Sequence, residues 1–226
     1  GGPTRRTASG LVSPRRGLAY ALAVFALAGI MGLTLIAWAG HWWLLAVGVA
    51  AIGAAWFYTG GSRPYGYMGI GLSELFVFVF FGLVATVGTT YVQTTNVPWW
   101  VWCGASGIGL ISVALLLVNN IRDIPTDSQV GKNTAAVRLG DRASRGAYLV
   151  TTAGGLILGS LTLAGGGSSY WWIAATLLLL TGLPGAITIA KGAKGLELLS
   201  SLRNTGLYAL AYGVLVGGGL ALSSAI

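Results

Sequence analysis

Charged residues are scarce in this 226-residue sequence: Asp, Glu, Lys and Arg together make up only 8%, against about 25% in a typical soluble protein. Hydrophobic residues account for 55%, and the mean hydropathy is +0.78. This composition excludes an ordinary soluble domain and predicts an integral membrane protein. Cysteine is rarer still: Cys103 is the single cysteine of the sequence. It can form no intrachain disulfide and has no other metal ligand beside it, so we interpret it as a small buried hydrophobe.

The few charges are mostly positive and give a net charge of +8. In a soluble protein this balance would suggest nucleic acid as a partner. Here the charges lie between apolar runs, so we expect no nucleic-acid partner. They favour instead a fixed orientation in the membrane and contacts with anionic head groups or substrates.

Long apolar runs are what the sequence has in abundance, and there are seven of them. Each is near the roughly 20 residues that a helix needs to cross the hydrocarbon layer. Helices are expected because every backbone polar group must be satisfied within its own span. The sequence therefore predicts an all-α, polytopic transmembrane helix bundle with seven spans. They are placed at 17–39, 42–60, 73–92, 98–119, 144–164, 169–190 and 204–224.

The connections between these runs alternate between charged and uncharged. The uncharged connections are 40–41, 93–97 and 165–168, whereas all eighteen charged residues fall in 1–16, 61–74, 120–145 and 191–203. The positive-inside rule makes the charged set cytoplasmic. We therefore expect a multi-pass protein of the cell membrane with its functional loops on the cytoplasmic side.

The polar stretch at 118–134 contains two of the five acidic residues, Asp123 and Asp127. If the preceding helix continues, Asn119, Asp123 and Asp127 lie one turn apart on one face. Pro125 should kink or end that helix nearby. Two carboxylates and an amide oxygen suit Mg²⁺ that is also bound to substrate phosphate. The alternative is a solvated loop in which Asp and Arg merely pair.

Cationic side chains near these carboxylates could neutralise a departing diphosphate: Arg122, Lys132 and Arg63. Arg63 belongs to a second polar stretch, which also contains Tyr58 and Tyr65. For these three residues, interfacial anchoring is as good an explanation as a substrate role. Glu74, at the end of that stretch, is expected to be a helix N-terminal charge.

The residues NNIRDIPTDSQVGKNTAAVRLG (119–140) resemble the second aspartate-rich motif of the UbiA superfamily of intramembrane aromatic prenyltransferases. The stretch YTGGSRPYGYMGIGLSELFVFVFFG (58–82) is similar to the menaquinone branch, whose members are 1,4-dihydroxy-2-naphthoate polyprenyltransferases. GPTRRTASGLVSP (2–14) resembles the segment after that family's first aspartate motif. Together these stretches extend the resemblance over essentially the whole chain.

The resemblance implies a reaction and a set of site residues. Mg²⁺, held by Asn119, Asp123 and Asp127, would bind the diphosphate of a polyprenyl donor. The two aspartates would serve as catalytic residues, and Arg63, Arg122 and Lys132 would bind the diphosphate. A 1,4-dihydroxy-2-naphthoate ring would then attack the allylic carbon and lose CO₂, giving a demethylmenaquinone. Contacts to the cation or the acceptor are assigned as hypotheses to Tyr58, Tyr65 and Arg138. The prenyl tail would lie against membrane lipid.

The chain departs from the family pattern in one respect. The family normally has nine transmembrane helices and a first aspartate motif after the second. We therefore expect residues 1–226 to be a single prenyltransferase domain that lacks the first two helices and that motif. Two alternatives remain: a related enzyme with another aromatic or lipid acceptor, and a membrane transporter of a phosphorylated solute. A transporter predicts ionisable residues within several spans, whereas these spans are almost free of them.

Overall fold

The computed structural model describes residues 13–60 and 64–224, and all regular structure in that part of the chain is helical. Six helices are long and apolar enough to cross a membrane, and a seventh apolar helix is shorter. The predicted all-α membrane bundle is thereby confirmed. The helices are α1 (Pro14–Ala39), α2 (Leu44–Thr59), α3 (Leu72–Thr94), α4 (Trp99–Gln129), α5 (Ala135–Gly165), α6 (Trp171–Ala190) and α7 (Leu198–Ser224).

The described residues divide into two compact units, one up to Gly53 and the other from Ala54 onward. In the first unit, the Ser13 side chain accepts a hydrogen bond from the Arg16 backbone N–H and so caps the start of α1. The helix ends at Gly40, whose φ of 72° lies in the left-handed region that glycine adopts easily. None of the residues of α1 is buried. That both units belong to one domain stays a prediction.

In the second unit, α4 lies at the centre and packs against α3, α5 and α7. Its apolar side chains reach two buried clusters, one toward each end. The cluster nearer the charged connections is Val113, Ala114, Leu117, Val118, Ile121, Tyr148, Ile189, Ala193 and Leu198. Cys103, on the same helix, is only half-buried, so its predicted burial is incomplete.

The middle of α3 is a π-helix over Phe78–Val84. This segment packs on α4 through glycine: a Cβ added to Gly82 would lie 2.6 Å from the Gly109 Cα. The two backbones thus approach more closely than any larger residue would allow, as is common between helices in membranes.

The charged stretch 120–145, predicted as a connection, is mostly helical. α4 continues to Gln129, and α5 already begins at Ala135. The Thr134 side chain caps α5 by accepting from the Val137 N–H at 3.3 Å. Only residues 130–134 connect the two helices, because intrahelical hydrogen bonds extend each helix beyond its apolar part.

Gly140 interrupts α5 with φ 78° and ψ 168°, a combination that is essentially restricted to glycine. Just after this break, the buried Arg145 joins α5 to the end of α6. Its Nε donates to Asp141 at 2.8 Å, and its terminal nitrogens donate to the carbonyls of Ile189 and Ala193 at 3.0 and 2.8 Å. The carboxyl end of α6 is thereby fixed beside the start of α5.

Candidate active site

The last turns of α4 present the carboxylates of the candidate site. The helix is continuous through Gln129, so Asn119, Asp123 and Asp127 share one face at successive turns. Pro125 was expected to kink or end the helix nearby, and the helix does not end there. Whether these residues bind metal stays a prediction, but the common helix face that it requires is present.

The helix continues past Pro125 although one backbone hydrogen bond is missing there. Proline removes the bond to the Ile121 carbonyl, a cost of about 3 kcal/mol in a helix interior. Around it, the Thr126 hydroxyl donates to the Asp123 carbonyl at 3.0 Å and the Ser128 hydroxyl donates to the Pro125 carbonyl at 3.1 Å. Both hydroxyls thus bond to the backbone of the turns around the proline, and the Ile121 carbonyl is not one of their acceptors.

Each carboxylate has its own cationic partner. Arg122 Nε and a terminal nitrogen donate to the two oxygens of Asp123 at 2.8 and 2.9 Å. Lys132 Nζ donates to Asp127 Oδ2 at 2.9 Å. The charge of Lys132 also acts on Asp123, and that of Asp127 acts on Arg122. These four residues, which we call the α4 cluster, form one network whose formal charges sum to zero.

Burial differs between the two carboxylates. The Asp123 side chain is 36% exposed, whereas that of Asp127 is 11% exposed. Of the two carboxylates, Asp123 is therefore the more accessible to a ligand. Of the two cations, Lys132 is the more exposed, at 31% against 20% for Arg122.

Lys132 also links the α4 cluster to the second polar stretch. Its Nζ lies 5.4 Å from the centroid of the Tyr67 ring, within the range of a cation–π contact. Its charge also acts on the Tyr58 hydroxyl, as does that of Glu74. The two stretches that were singled out in the sequence therefore meet in the folded chain.

Arg138 makes a second link between these stretches. Its guanidinium donates to the Met68 carbonyl at 3.4 Å. Its methylene groups lie directly over Gly69, where a Cβ would clash with them. The exposed remainder of the guanidinium can still contact an anion, so its assignment to the acceptor carboxylate stays a hypothesis.

Tyr58 and Tyr65 are in contact, with ring centroids 5.5 Å apart in an edge-to-face arrangement. Tyr65 also packs on Phe76 and donates its hydroxyl to the Ala54 carbonyl at 2.8 Å. Burial, with a smaller contribution from Tyr58, raises the pKa of Tyr65, so this hydroxyl stays protonated and keeps donating. The position of the Tyr65 ring is thus fixed by its contacts with Tyr58 and Phe76, and its orientation is fixed by the hydrogen bond to the Ala54 carbonyl.

Arg63 lies outside the described residues, and so does most of the N-terminal stretch whose resemblance was noted, residues 2–12. The structure therefore brings together seven of the nine predicted site residues in contact or through shared charge. They are Tyr58, Tyr65, Arg122, Asp123, Asp127, Lys132 and, through Met68, Arg138. Asn119 lies one turn before Asp123 on the same helix.

Comparison with known families matches residues 2–195 to the UbiA prenyltransferase family. The chain belongs to this family. It is therefore a prenyltransferase and a multi-pass membrane protein, and the resemblance that the two polar stretches suggested is confirmed.

Curated relatives of this UbiA-family chain carry related names. A 1,4-dihydroxy-2-naphthoate octaprenyltransferase of Mycobacterium tuberculosis is 42% identical over 220 residues, which cover 97% of this chain and 73% of the relative. The protein of the same name from Mycobacterium leprae is 38% identical over 226 residues, covering 100% and 74%. A 2-carboxy-1,4-naphthoquinone phytyltransferase of Synechocystis is 29% identical over 119 residues, covering 52% and 38%. No solved structure matches the chain.

The side chains near Asp123 can be compared with what Mg²⁺ requires. The available donors are all oxygens: two carboxylates and the amide oxygen of Asn119, whose NH₂ is directed to the Leu115 carbonyl at 3.1 Å. No three His, Cys, Asp or Glu side chains of the described ranges converge on one point. This set fits an ion that takes a few protein oxygens and completes its shell with phosphate and water, as Mg²⁺ does.

The sequence did not reveal one polar contact of this UbiA-family site. The Asn120 amide donates to Glu74 Oε1 at 3.5 Å and joins α4 to the first turn of α3. Glu74 does lie at a helix N-terminus, as expected, but its carboxyl group also faces another helix. The doubled asparagine at 119–120 was the only available signal, and spacing alone could not show which helix Asn120 contacts.

Proposed function

We propose that this prenyltransferase transfers a polyprenyl group from a polyprenyl diphosphate to 1,4-dihydroxy-2-naphthoate, with Mg²⁺ as cofactor. Diphosphate and CO₂ would be released, and the product would be a demethylmenaquinone. The names of the mycobacterial relatives support the donor and acceptor classes. The observation that carries the proposal is the α4 cluster, with two carboxylates and two cations beside a membrane span.

A charge-neutral cluster of this kind suits a diphosphate that arrives with a divalent cation. Asn119, Asp123 and Asp127 would hold Mg²⁺, which supplies positive charge to the diphosphate oxygens when bound. Arg122 and Lys132 would turn from the carboxylates to the phosphate oxygens, where charge develops as the allylic C–O bond breaks. Because both cations already lie within 3 Å of the carboxylates, this exchange needs only side-chain movement.

Aromatic and cationic groups would position the rest of the reaction. Tyr58 and Tyr65 would face the allylic cation with their ring faces. Arg138 would bind the acceptor carboxylate through the part of its guanidinium that Met68 leaves exposed. The apolar tail of the donor would lie between helices and contact lipid.

The test is an assay of the full-length protein, purified and reconstituted in lipid nanodiscs. A polyprenyl diphosphate is supplied with 1,4-dihydroxy-2-naphthoate, 4-hydroxybenzoate or homogentisate, with Mg²⁺ or with EDTA, and the products are identified by mass spectrometry. We expect a demethylmenaquinone only with the naphthoate and only with Mg²⁺. Transfer to another acceptor instead, or full turnover in EDTA, would contradict the proposal.

We also propose that the protein lies in the cell membrane with the α4 cluster on the cytoplasmic side. The clustering of all charged residues in one set of connections supports this orientation. Asn133→Cys, in a Cys103→Ala background, puts one thiol at an exposed position of the connection between α4 and α5. An impermeant maleimide should label it in inverted vesicles and not in intact cells; the reverse pattern would contradict the orientation.

A further inference from the structure

Glu74 is a carboxylate that the proposed metal and diphosphate contacts leave unused. It lies in the first turn of α3 and is half-buried, with Asn120 as its partner across the helix interface at 3.5 Å. Asn120 itself is 8% exposed. The contact therefore lies at a packed interface at the start of α3, and an ionisable group held there without a counter-ion is a candidate functional group.

The other acidic residues of the described ranges are all engaged differently. Asp123, Asp127 and Asp141 each form an ion pair with a lysine or arginine at 2.8 or 2.9 Å. Glu197 is exposed, and its side chain accepts from the Lys194 backbone N–H as part of a helix cap. Glu74 and Glu197 form no ion pair within 4 Å among the described residues, and of the two only Glu74 is half-buried. Burial without a cationic partner makes Glu74 the carboxylate most able to accept a proton.

The surroundings of Glu74 place it beside the candidate site. Its charge acts on the Tyr58 hydroxyl, which also interacts with Lys132 and with the buried Ser73. Among the described residues, its hydrogen-bond partner is thus an amide from α4, and the phenol of Tyr58 on α2 interacts with it electrostatically. Neither group carries a charge that would hold Glu74 ionised, and the amide fixes one of its oxygens, as an orienting group does for a general base.

We propose that Glu74 is the general base for the acceptor: its carboxylate takes the proton of the hydroxyl next to the acceptor's carboxylate-bearing ring carbon. This inference rests on the proposed function, because it needs a hydroxylated aromatic acceptor. Removal of that proton makes the ring carbon more nucleophilic at the moment of attack, and a positioned base typically contributes about 10²- to 10⁴-fold.

The hydroxyl proton moves to Glu74, the oxygen becomes a carbonyl, and the carboxylate-bearing ring carbon forms the new bond to the allylic carbon. The C–O bond of the donor breaks, and diphosphate leaves with the electron pair. The β-keto carboxylate then loses CO₂, whose bonding electrons restore the aromatic ring and return the carbonyl to a naphtholate oxygen. Glu74 gives its proton back to that oxygen and regains its charge.

The test compares Glu74→Gln with Glu197→Gln, the same change at the other glutamate, which also lies near a helix N-terminus. In the reconstituted full-length protein, we expect turnover to fall about 10²- to 10³-fold in Glu74→Gln and to stay within twofold of wild type in Glu197→Gln. Glu74→Asp, which keeps the carboxylate but shortens it, should lie between them. The kcat of wild type should fall at low pH as Glu74 becomes protonated, and this fall should be absent from the residual activity of Glu74→Gln.

A binding measurement without donor or metal separates the base from a structural role. Wild type should bind 1,4-dihydroxy-2-naphthoate more tightly than Glu74→Gln, whereas both should bind 1,4-dimethoxy-2-naphthoate, which has no hydroxyl proton, equally well. Glu74→Gln turnover equal to that of Glu197→Gln would overturn the assignment while leaving the proposed function intact. A wild type that does not prenylate the naphthoate would overturn both. If Glu74→Gln fails to fold, the Glu74→Asp values decide by the same criteria.

Discussion

Two charged clusters lie in the second unit, and both contain an arginine–aspartate pair at 2.8 Å. In the α4 cluster, Arg122 bonds only to its neighbour Asp123, and both remain partly exposed. In the other, Arg145 bonds to Asp141 and also to two backbone carbonyls at the end of α6. The Arg145 side chain is 11% exposed, against 20% for Arg122.

This difference favours the α4 cluster as the one that binds a ligand. The nitrogens of Arg145 that face α6 are all used by main-chain atoms that cannot move away, so its contacts belong to the fold. Arg122 and Lys132 bond only to carboxylates, which can exchange partners when a phosphate arrives. Both clusters are charged. The candidate site differs because its cations can exchange their carboxylate partners for a phosphate.

The largest expected effect comes from the same substitution in each cluster. Asp123→Asn should lower turnover about 10²- to 10³-fold, because a group that stabilises the leaving diphosphate is lost. Asp141→Asn should leave turnover unchanged. Steady-state assays in nanodiscs measure both, and thermal unfolding checks that both are folded. Equal losses in the two variants would mean that the comparison does not separate a site from a structural pair.

Replacing the two arginines should give the opposite pattern in stability. Arg145→Met should destabilise the protein by about 3 kcal/mol, because Asp141 and the carbonyls of α6 lose their buried partner. Arg122→Met should cost less than about 1 kcal/mol, as for an exposed ion pair. Denaturant or thermal unfolding in detergent measures the difference. A larger loss at Arg122 would contradict the distinction.

Gly140, between the two clusters in the chain, should be sensitive to any side chain. Gly140→Ala should destabilise the protein by about 2 kcal/mol, because its backbone conformation is essentially restricted to glycine. Gly146→Ala is the control on the same helix, since a Cβ there meets no neighbour within 4 Å. It should be neutral or stabilising by up to about 1 kcal/mol. Unfolding midpoints that match would show that the break in α5 is not needed.

The smallest effect is expected from a single cation of the α4 cluster. Lys132→Met should raise the KM for the polyprenyl diphosphate about tenfold, equal to about 1.4 kcal/mol, while the KM for the acceptor stays constant. Lys191→Met removes an exposed lysine elsewhere and should change neither constant. An increase confined to the acceptor KM would move Lys132 away from the diphosphate.

The positions of the helices were predictable because each apolar run satisfies its own backbone in a membrane. Their ends were not. The run at 98–119 became a helix to Gln129, since polar residues can continue a helix whose hydrogen bonds are already propagating. Pro125 was expected to kink or end the helix, but the helix continues from Pro125 to Gln129.

Only the part of the site that lies on a single helix was predictable from the sequence. Asn119, Asp123 and Asp127 are four residues apart, and this spacing alone places them on one face of a helix. No comparable spacing in the sequence predicts which residues of different helices contact each other. Glu74 with Asn120, and Arg145 with Ile189, are 46 and 44 residues apart in sequence, and only packing brings them together.

The unbroken α4 also fixes how deeply the carboxylates sit. At 1.5 Å per residue, its 31 residues extend about 46 Å, which exceeds a hydrocarbon layer of about 30 Å. The number of helical residues that precede Asp123 therefore sets both its depth relative to the membrane and the direction in which its side chain points. One residue inserted in the span would turn that carboxylate through about 100° and raise it by about 1.5 Å. Evolution can lengthen this helix only in whole turns if the carboxylate is to keep its direction.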